Sequence, residues 1–439
     1  MNLGYDGAVD GAYREPAFDP SWLDLLPPCL ETGGTDGVVI EDLFLERRLE
    51  IRLHRRNQSS WIEECRSSGA AVRRRSPGRF ELEATTGTSP RAVARLLGER
   101  PGARALALSR PLPQPELDLP RGWREHVEQL CNQVPVENLT ARLLARRALV
   151  VRSEGWCAVE TPILVRIESA EPTAATLLST WGHPRLAQWA AELRPPSPRR
   201  TWRPGSGEHV VAVLTDGTAG VLLHEIVGHL LESDILTRGS ALTDSGDRVI
   251  GPPTLTVLDD PTRFDLPGAF TADDEGVVAS PMPLVQAGRI TGALCDRSGA
   301  FLLGMTPGRG RRSSWSSAPV ARMSNLVTSP GSEPSEHLEA GVRKGVTVTR
   351  IGGAAVDPAS GRVIVRVEDG WELRHGRRRR ALGAVELTGT VLEVLGAIDP
   401  GLGQDQVPDW RLGWCLKDGL PLPTGSVAPS ILVHDLEVL

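Results

Sequence analysis

Two histidines and two glutamates interrupt an otherwise apolar run, LLHEIVGHLLESD, at positions 222–234. Imidazoles and carboxylates bind metals and move protons, so their grouping raises the question of a reactive site. Wound as an α-helix, the run places His224, Glu225, Gly228, His229 and Glu232 in one stripe roughly 140° wide. Leu222, Leu223, Ile226, Val227, Leu230 and Leu231 cover the rest, and only Val221 intrudes on the stripe. Such a helix is expected to be buried on most sides, with its polar stripe facing a cavity. A buried ionisable group must be paired, shifted in protonation or bound to a metal.

His-Glu followed by a second His invites comparison with the zinc-peptidase pattern HExxH, where the histidines stand four apart on one helix face and the Glu handles protons. Here the pattern is HExxxH. In a regular helix, residues five apart point about 140° apart and are ~7.5 Å apart along the axis, which does not suit one ion. Gly228 offers two exits: a π-bulge, which brings residues i and i+5 onto one face, or an end to the helix. The helix from about Ala219 to Glu232 is therefore expected to be irregular at or beside Gly228. Spacing alone leaves open both a metal site and a hydrogen-bonded pair of histidines in a polar seam.

Other residues have two readings each. Glu232 lies near the middle of the stripe, where it either orients a ligand histidine or pairs with an arginine at the helix end. Asp273, Asp274 and Glu275 before Gly276 read as a tight acidic turn rather than a metal cluster. Arg311, Arg312, Arg322 and Asn325 either grip a peptide backbone or C-terminus or serve the structure. His209, His337 and His434 have no partner in ligand spacing. Cys29, Cys65, Cys131, Cys157 and Cys295 read as packing residues.

The elements that must position these groups follow from the whole chain. It has 439 residues, 40% of them hydrophobic, which is too long for one ordinary core. The net charge of −6 argues against a dedicated nucleic-acid binder. The basic residues are almost all arginine, with Lys344 and Lys417 the exceptions. The runs RRR at 73–75 and RRRR at 377–380 read as solvated loops. Six cysteines without CxxC spacing indicate neither a zinc ribbon nor a disulfide framework. No signal peptide and no membrane-length apolar window is seen, so a soluble cytoplasmic protein with reduced thiols is expected.

Residues 1–20 are polar, Gly-rich and expected to be poorly ordered. VVIEDLFLERRLEIRL (38–53) and FELEAT (80–85) carry strand signals, TSPRAVARLLGER (88–100) and GWREHVEQLCNQV read as helices, and NLTARLLARRALVV reads as a helix or a strand. LRPPSPRRTWRPGSGEH (193–209) reads as a linker or exposed loop. Beyond it, VVAVLTD (210–216) is a buried strand leading into the helix. TLTVLDD, PLVQAGRITGALCD, GVTVTRIGGAAVD, RVIVRVEDG, ELTGTVLEVLGAI and SILVHDLEVL then have the rhythm of a β sandwich or barrel. The fold class is α+β: an α/β domain over residues 1–200, then a β-rich domain over 201–439 that carries the HExxxH helix.

VLLHEIVGHLLESD resembles the signature helix of the TldD/PmbA family, in its TldD-like form that keeps HExxxH. TADDEGV (271–277) is similar to the family's DDEG turn, LCDRSGAFLLGMTPGRGRRSSWSSAPVARMSN (294–325) to its GRR and PRMTN segment, and EDLFLERR (41–48) to its early strand. WCLKDGLPLPTGSVAPSILV (414–433) resembles its C-terminal CGKDGQ segment. The resemblance is dense over 209–433 and weaker before. It implies a zinc-dependent peptidase, with iron as the alternative metal, cleaving unfolded or leader peptides. His224, His229 and Cys415 match the metal ligands, and Glu225 the glutamate that takes a proton from water and passes it to the leaving amine. The resemblance also implies a homologous PmbA/TldE-like partner subunit, in a heterodimer or other oligomer. Leu416 and Val427 stand where the family has Gly, Leu420 where it has Gln, and Ala321 where it has Pro. A non-catalytic modulator subunit is the competing reading.

Overall fold

The computed structural model describes residues 30, 39–57, 59–76, 79–98, 117, 119–169, 176–193, 201–245, 248–411 and 413–439. The opening segment 1–20, Cys29 and the Pro- and Arg-rich stretch 194–200 lie outside these.

The first half builds one antiparallel sheet. Its strands are β1 (Val39–Arg56), β2 (Ser59–Ser76), β3 (Arg79–Thr86), β4 (Leu139–Arg152), β5 (Gly155–Glu160), β6 (Leu164–Ser169) and β7 (Thr176–Thr180). They run in the order β3-β2-β1-β4-β6-β7, with β5 also paired to β4. Alternation fixes the faces. Leu49, Ile51 and Leu53 of β1 and Leu139, Ala141 and Leu143 of β4 form one core with Val127, Leu130 and Cys131 of the helix Trp123–Gln133. NLTARLLARRALVV is thus the strand β4, and TSPRAVARLLGER supplies the helix Pro90–Leu97, capped by Ser89.

The second half contains a closed barrel. The strand Lys344–Val356 pairs in parallel with His209–Leu214 and antiparallel with Arg362–Arg374. The strands Ile431–Val438 and Val385–Thr390 complete the ring. The stretch before it is no free linker from Trp202 onward: Trp202 N–H donates to Ala381 and Gly383 N–H to Trp202. ELTGTVLEVLGAI is only partly strand, because a helix, Val391–Gly396, begins after Thr390. The overlooked signal is the Thr390–Glu393 capping box. A second, mixed sheet carries Val257–Asp259, Asn325–Thr328 and Gly425–Ala428.

The histidine-bearing segment lies between barrel and sheet. Its Leu222, Leu223, Ile226, Val227, Leu230 and Leu231 share one core with Val346, Val365 and Val433 of the barrel and Val257 and Leu326 of the sheet. Gly217 starts it at φ +86°, and a Cβ there would stand 2.9 Å from the Pro408 carbonyl oxygen. The segment is α-helical over Thr218–Leu223, π-helical over His224–Gly228 and 3-10 over His229–Leu231. The expected irregularity is therefore a π turn. Gly228 has an ordinary φ of −58°, so backbone freedom is not its role. A Cβ there would overlap Met323 Sδ, and close packing of Met323 demands the glycine.

Both runs of arginine are strands, not loops. RRRR forms the exposed strand Arg377–Ala381, where Arg378 pairs with Glu339 and Arg380 with Glu372. Arg73 lies on β2 and is buried. It pairs at 2.6 Å with Asp42 of β1 and at 2.6 Å with Glu275 of the acidic turn. Arg146 of β4 joins Glu46 and Asp274, each at 2.6 Å, and Arg312 joins Asp42 at 2.9 Å. This charge lattice ties the first sheet to the second half. The acidic turn reads as structural, since Asp273 accepts N–H bonds from Glu275, Val277 and Gly310.

Replacing Arg73 by Met takes the ion-pair partner from buried Glu275 and leaves Asp42 with Arg312 alone, and should cost about 3–5 kcal/mol in denaturant unfolding. A loss near zero would show that Asp42 and Glu275 do not need it. Gly228→Ala should cost about 1–3 kcal/mol by overpacking, and adding Met323→Ala should recover part of that loss. Equal midpoints for the single and double variants would remove Met323 as the cause.

Candidate metal centre

The π turn delivers what spacing alone could not. One ligand atom each from His224, His229 and Cys415 lies within 4.8 Å of the others. The two imidazoles meet edge to face, with ring centroids 5.0 Å apart. Cys415 Sγ sits 3.2 Å from His229 Nε2 and is almost fully buried.

Cys415 arrives on a hairpin of Trp414–Lys417 and Leu420–Pro423. Asp418 and Gly419 turn it with φ of +51° and +75°, the conformation a two-residue Asp-Gly loop favours. Strand alternation then points Cys415 inward and Leu416 outward. Leu416, the departure from the family glycine, is 67% exposed and lines the rim of the cavity. It does not displace the thiol.

Glu232 adopts extended geometry immediately after the 3-10 turn and is fully buried. Its Oε2 lies 3.3 Å from His229 Nδ1 and accepts a bond from Lys417 Nζ at 2.7 Å. Lys417 Nζ also donates to Asp234 Oδ1 at 2.6 Å. With Nδ1–H engaged by the carboxylate, the lone pair of His229 Nε2 faces Cys415. Burial opposes ionisation of Glu232, but His229 and Lys417 hold its carboxyl down to about 2. Burial likewise opposes a Cys415 thiolate, yet His224 and His229 hold the thiol well below its usual range. Burial pushes Glu225 up, against the pull of the two imidazoles. His224, Glu225, His229 and Cys415 border a cavity of about 360 Å³ that Gly353–Val356 of the barrel also lines.

Arg322 and Asn325 do not border this cavity. Arg322 donates to the carbonyls of Cys415 at 2.8 Å and Leu420 at 3.1 Å, stapling both hairpin strands. Asn325 is buried between Gly268 N–H and the Asp260 carbonyl. The Asn325 amide and both terminal guanidinium nitrogens of Arg322 are thus engaged by backbone, away from this cavity. Arg311 binds the Met323 and Pro423 carbonyls and borders a different cavity. Cys65 is exposed, not packed, whereas Cys131 and Cys295 are buried and Cys157 is half-buried. Lys417, which sequence reasoning missed as a site residue, clamps Glu232 and Asp234. Its rarity was the available signal, since it is one of two lysines among 49 basic residues. No helix among the described residues is long and apolar enough to cross a membrane.

Residues 207–439 match the PmbA/TldA metallopeptidase C-terminal domain. The chain is 32% identical over 228 residues to a metalloprotease TldD homolog of Haemophilus influenzae, covering 52% of this chain and 47% of that protein. It is 28% identical over 239 residues to a zinc metalloprotease TldD homolog of Saccharolobus solfataricus, covering 54% of this chain and 52% of that one. The matched region thus spans about half the length of these relatives. Among solved structures, a Thermotoga maritima protein described as a candidate modulator of a DNA gyrase aligns with a TM-score of 0.69 at 16% identity, over 95% of this chain and 99% of that one. TldE from Thermococcus kodakarensis aligns with a TM-score of 0.66 at 16% identity, over 91% and 96%. These likenesses show a shared fold across both halves. With the profile match over 207–439, they place the chain in the PmbA/TldD metallopeptidase family.

Proposed function

We propose that this chain is the metal-bearing subunit of a zinc-dependent peptidase acting on unfolded or leader peptides. The observation that carries the reading is the convergence of two imidazoles and a thiol beside Glu225 at one cavity. That donor set fits zinc: soft sulfur and two nitrogens leave a fourth tetrahedral position open. Iron is the alternative that the donors allow. A zinc ion held by His224, His229 and Cys415 would supply a Lewis acid that acidifies water and polarises a peptide carbonyl.

The protein's own groups do the rest. Glu225 takes a proton from the attacking water and hands it to the departing amine. Burial raises its carboxyl above the usual range, which makes it a stronger base toward water. Glu232 fixes the tautomer and ring orientation of His229. Lys417 neutralises Glu232 and pins the hairpin to the helix through Asp234. Arg322 holds the Cys415 backbone in register.

A structural neighbour of this chain is a TldE, which supports assembly with a homologous PmbA/TldE-like subunit. A cytoplasmic location is part of the same proposal. The net charge of −6 gives direct DNA contact no support. A non-catalytic modulator has no use for a thiol between two histidines, so stoichiometric zinc separates the two readings.

Elemental analysis should find about one zinc per chain, and Cys415→Ala should lose it while Cys295→Ala retains it. Full occupancy in Cys415→Ala would exclude the thiol as a ligand. Glu225→Gln should keep zinc and lower peptide cleavage by at least a hundredfold, the scale of a missing general base. Near wild-type turnover would exclude Glu225 from proton transfer.

A further inference from the structure

A second cavity, of about 530 Å³, lies between the first sheet and the Cys415 hairpin. Trp414 borders both cavities, and on its ring Arg166 stacks with its guanidinium carbon 5.3 Å from the centroid. The walls include Leu144, Leu164, Pro267, Trp315 and Pro421. Set into them are Arg48, Arg142, Arg146, Arg166 and Arg311, against one lining carboxylate, Glu50.

Four of these arginines have carboxylate partners. Glu46 serves Arg48 and Arg146, Glu168 serves Arg142 and Arg166, Glu50 reaches Arg142, and Asp274 reaches Arg146. Arg311 has no ion-pair partner among the described residues. Arg311 is 6% exposed, and its guanidinium donates to the Met323 and Pro423 carbonyls and lies 5.6 Å from the centre of the Phe270 ring. Carbonyls satisfy its donors without cancelling its charge. Burial brings Arg311 down to about 10; the Asp274 and Asp259 carboxylates oppose this from beyond ion-pair distance, and the nearby Arg322 and Arg146 add to it. The Nε atoms of Arg48, Arg142 and Arg166 have no acceptor among the described residues. A buried cation without a counter-charge is costly unless an anion completes it.

We propose that this cavity binds a carboxylate of the peptide that the metal centre processes, with Arg311 as its counter-charge. This rests on the peptidase reading. The five arginines against one carboxylate in the lining, with Arg311 outside any ion pair, match an anion, and the apolar walls match the rest of an organic chain rather than a hydrated phosphate. The planar guanidinium fork suits a carboxylate in particular. Trp414 joins the two cavities through the residue next to Cys415. The carboxylate is either the peptide's C-terminus or a Glu or Asp side chain.

The test is calorimetric titration of the full-length Glu225→Gln chain, which binds without cleaving. The probes are penta-alanine with a free C-terminus, its C-terminal amide, and two amides carrying a central Glu or Gln. A C-terminal site makes the free acid bind about tenfold tighter than its amide. A side-chain site makes the Glu peptide bind about tenfold tighter than the Gln peptide. Arg311→Gln should abolish the preference. Because that position is buried, the paired variant Arg142→Gln with Arg166→Gln, at half-exposed sites, provides a second measurement and should weaken the preference at unchanged melting temperature. The proposal is overturned if all four peptides bind alike, if none binds, or if the paired variant keeps the full preference. Wild-type cleavage of all four peptides at equal rates would defeat the cavity assignment and leave the peptidase standing. A retained preference without any cleavage would do the reverse.

Discussion

The contact between Cys415 Sγ and His229 Nε2, 3.2 Å across 186 positions of sequence, is the constraint around which the second half of the protein is arranged. Three separate devices hold it. The π turn rotates His229 toward His224, Glu232 and Lys417 lock the ring and tie helix to hairpin, and Arg322 anchors the hairpin backbone. The last two devices rest on buried charged groups held by specific partners. That is the costly way to build a core, and it yields a single geometry where apolar packing alone would tolerate several. Met323 presses on the same turn from the opposite side, through the space that Gly228 leaves empty.

The same logic extends between the two halves. Asp42, Glu46, Asp274 and Glu275 are nearly or wholly buried, and Arg73, Arg146 and Arg312 bridge them across the boundary. A surface with this many half-complete charges cannot be exposed to a low-polarity neighbour without penalty, so the sheet and the second half are bound to dock in one register. The second cavity opens on this boundary, where Arg311 stands outside the ion pairs.

Much of the metal centre was legible because its chemistry is local. His224, Glu225, His229 and Glu232 lie within nine residues, and the need for an irregular helix follows from their spacing. Cys415 was reached only by resemblance, because no local pattern links it to the helix. The arginines were misjudged for a related reason. A run such as RRR at 73–75 looks solvated until its carboxylate partners, 31 or 202 positions distant for Arg73, fold onto it. Strand pairing over such distances leaves no periodic signal. The barrel was legible as a rhythm of short apolar runs, but its closure through both edges of Lys344–Val356 was not, and one of those runs concealed a helix.

The separation of the donors also sets an order in time. Chains emerge from the ribosome at roughly 5–20 residues per second, so the histidine-bearing segment is synthesised about 10–40 s before Cys415. Through that interval two imidazoles and a carboxylate exist without their thiol, on a segment whose apolar flanks also await the last barrel strand, Ile431–Val438. The three-donor site cannot form on a nascent or truncated chain. Synthesis through Cys415 is thereby a condition on assembly of the three donors.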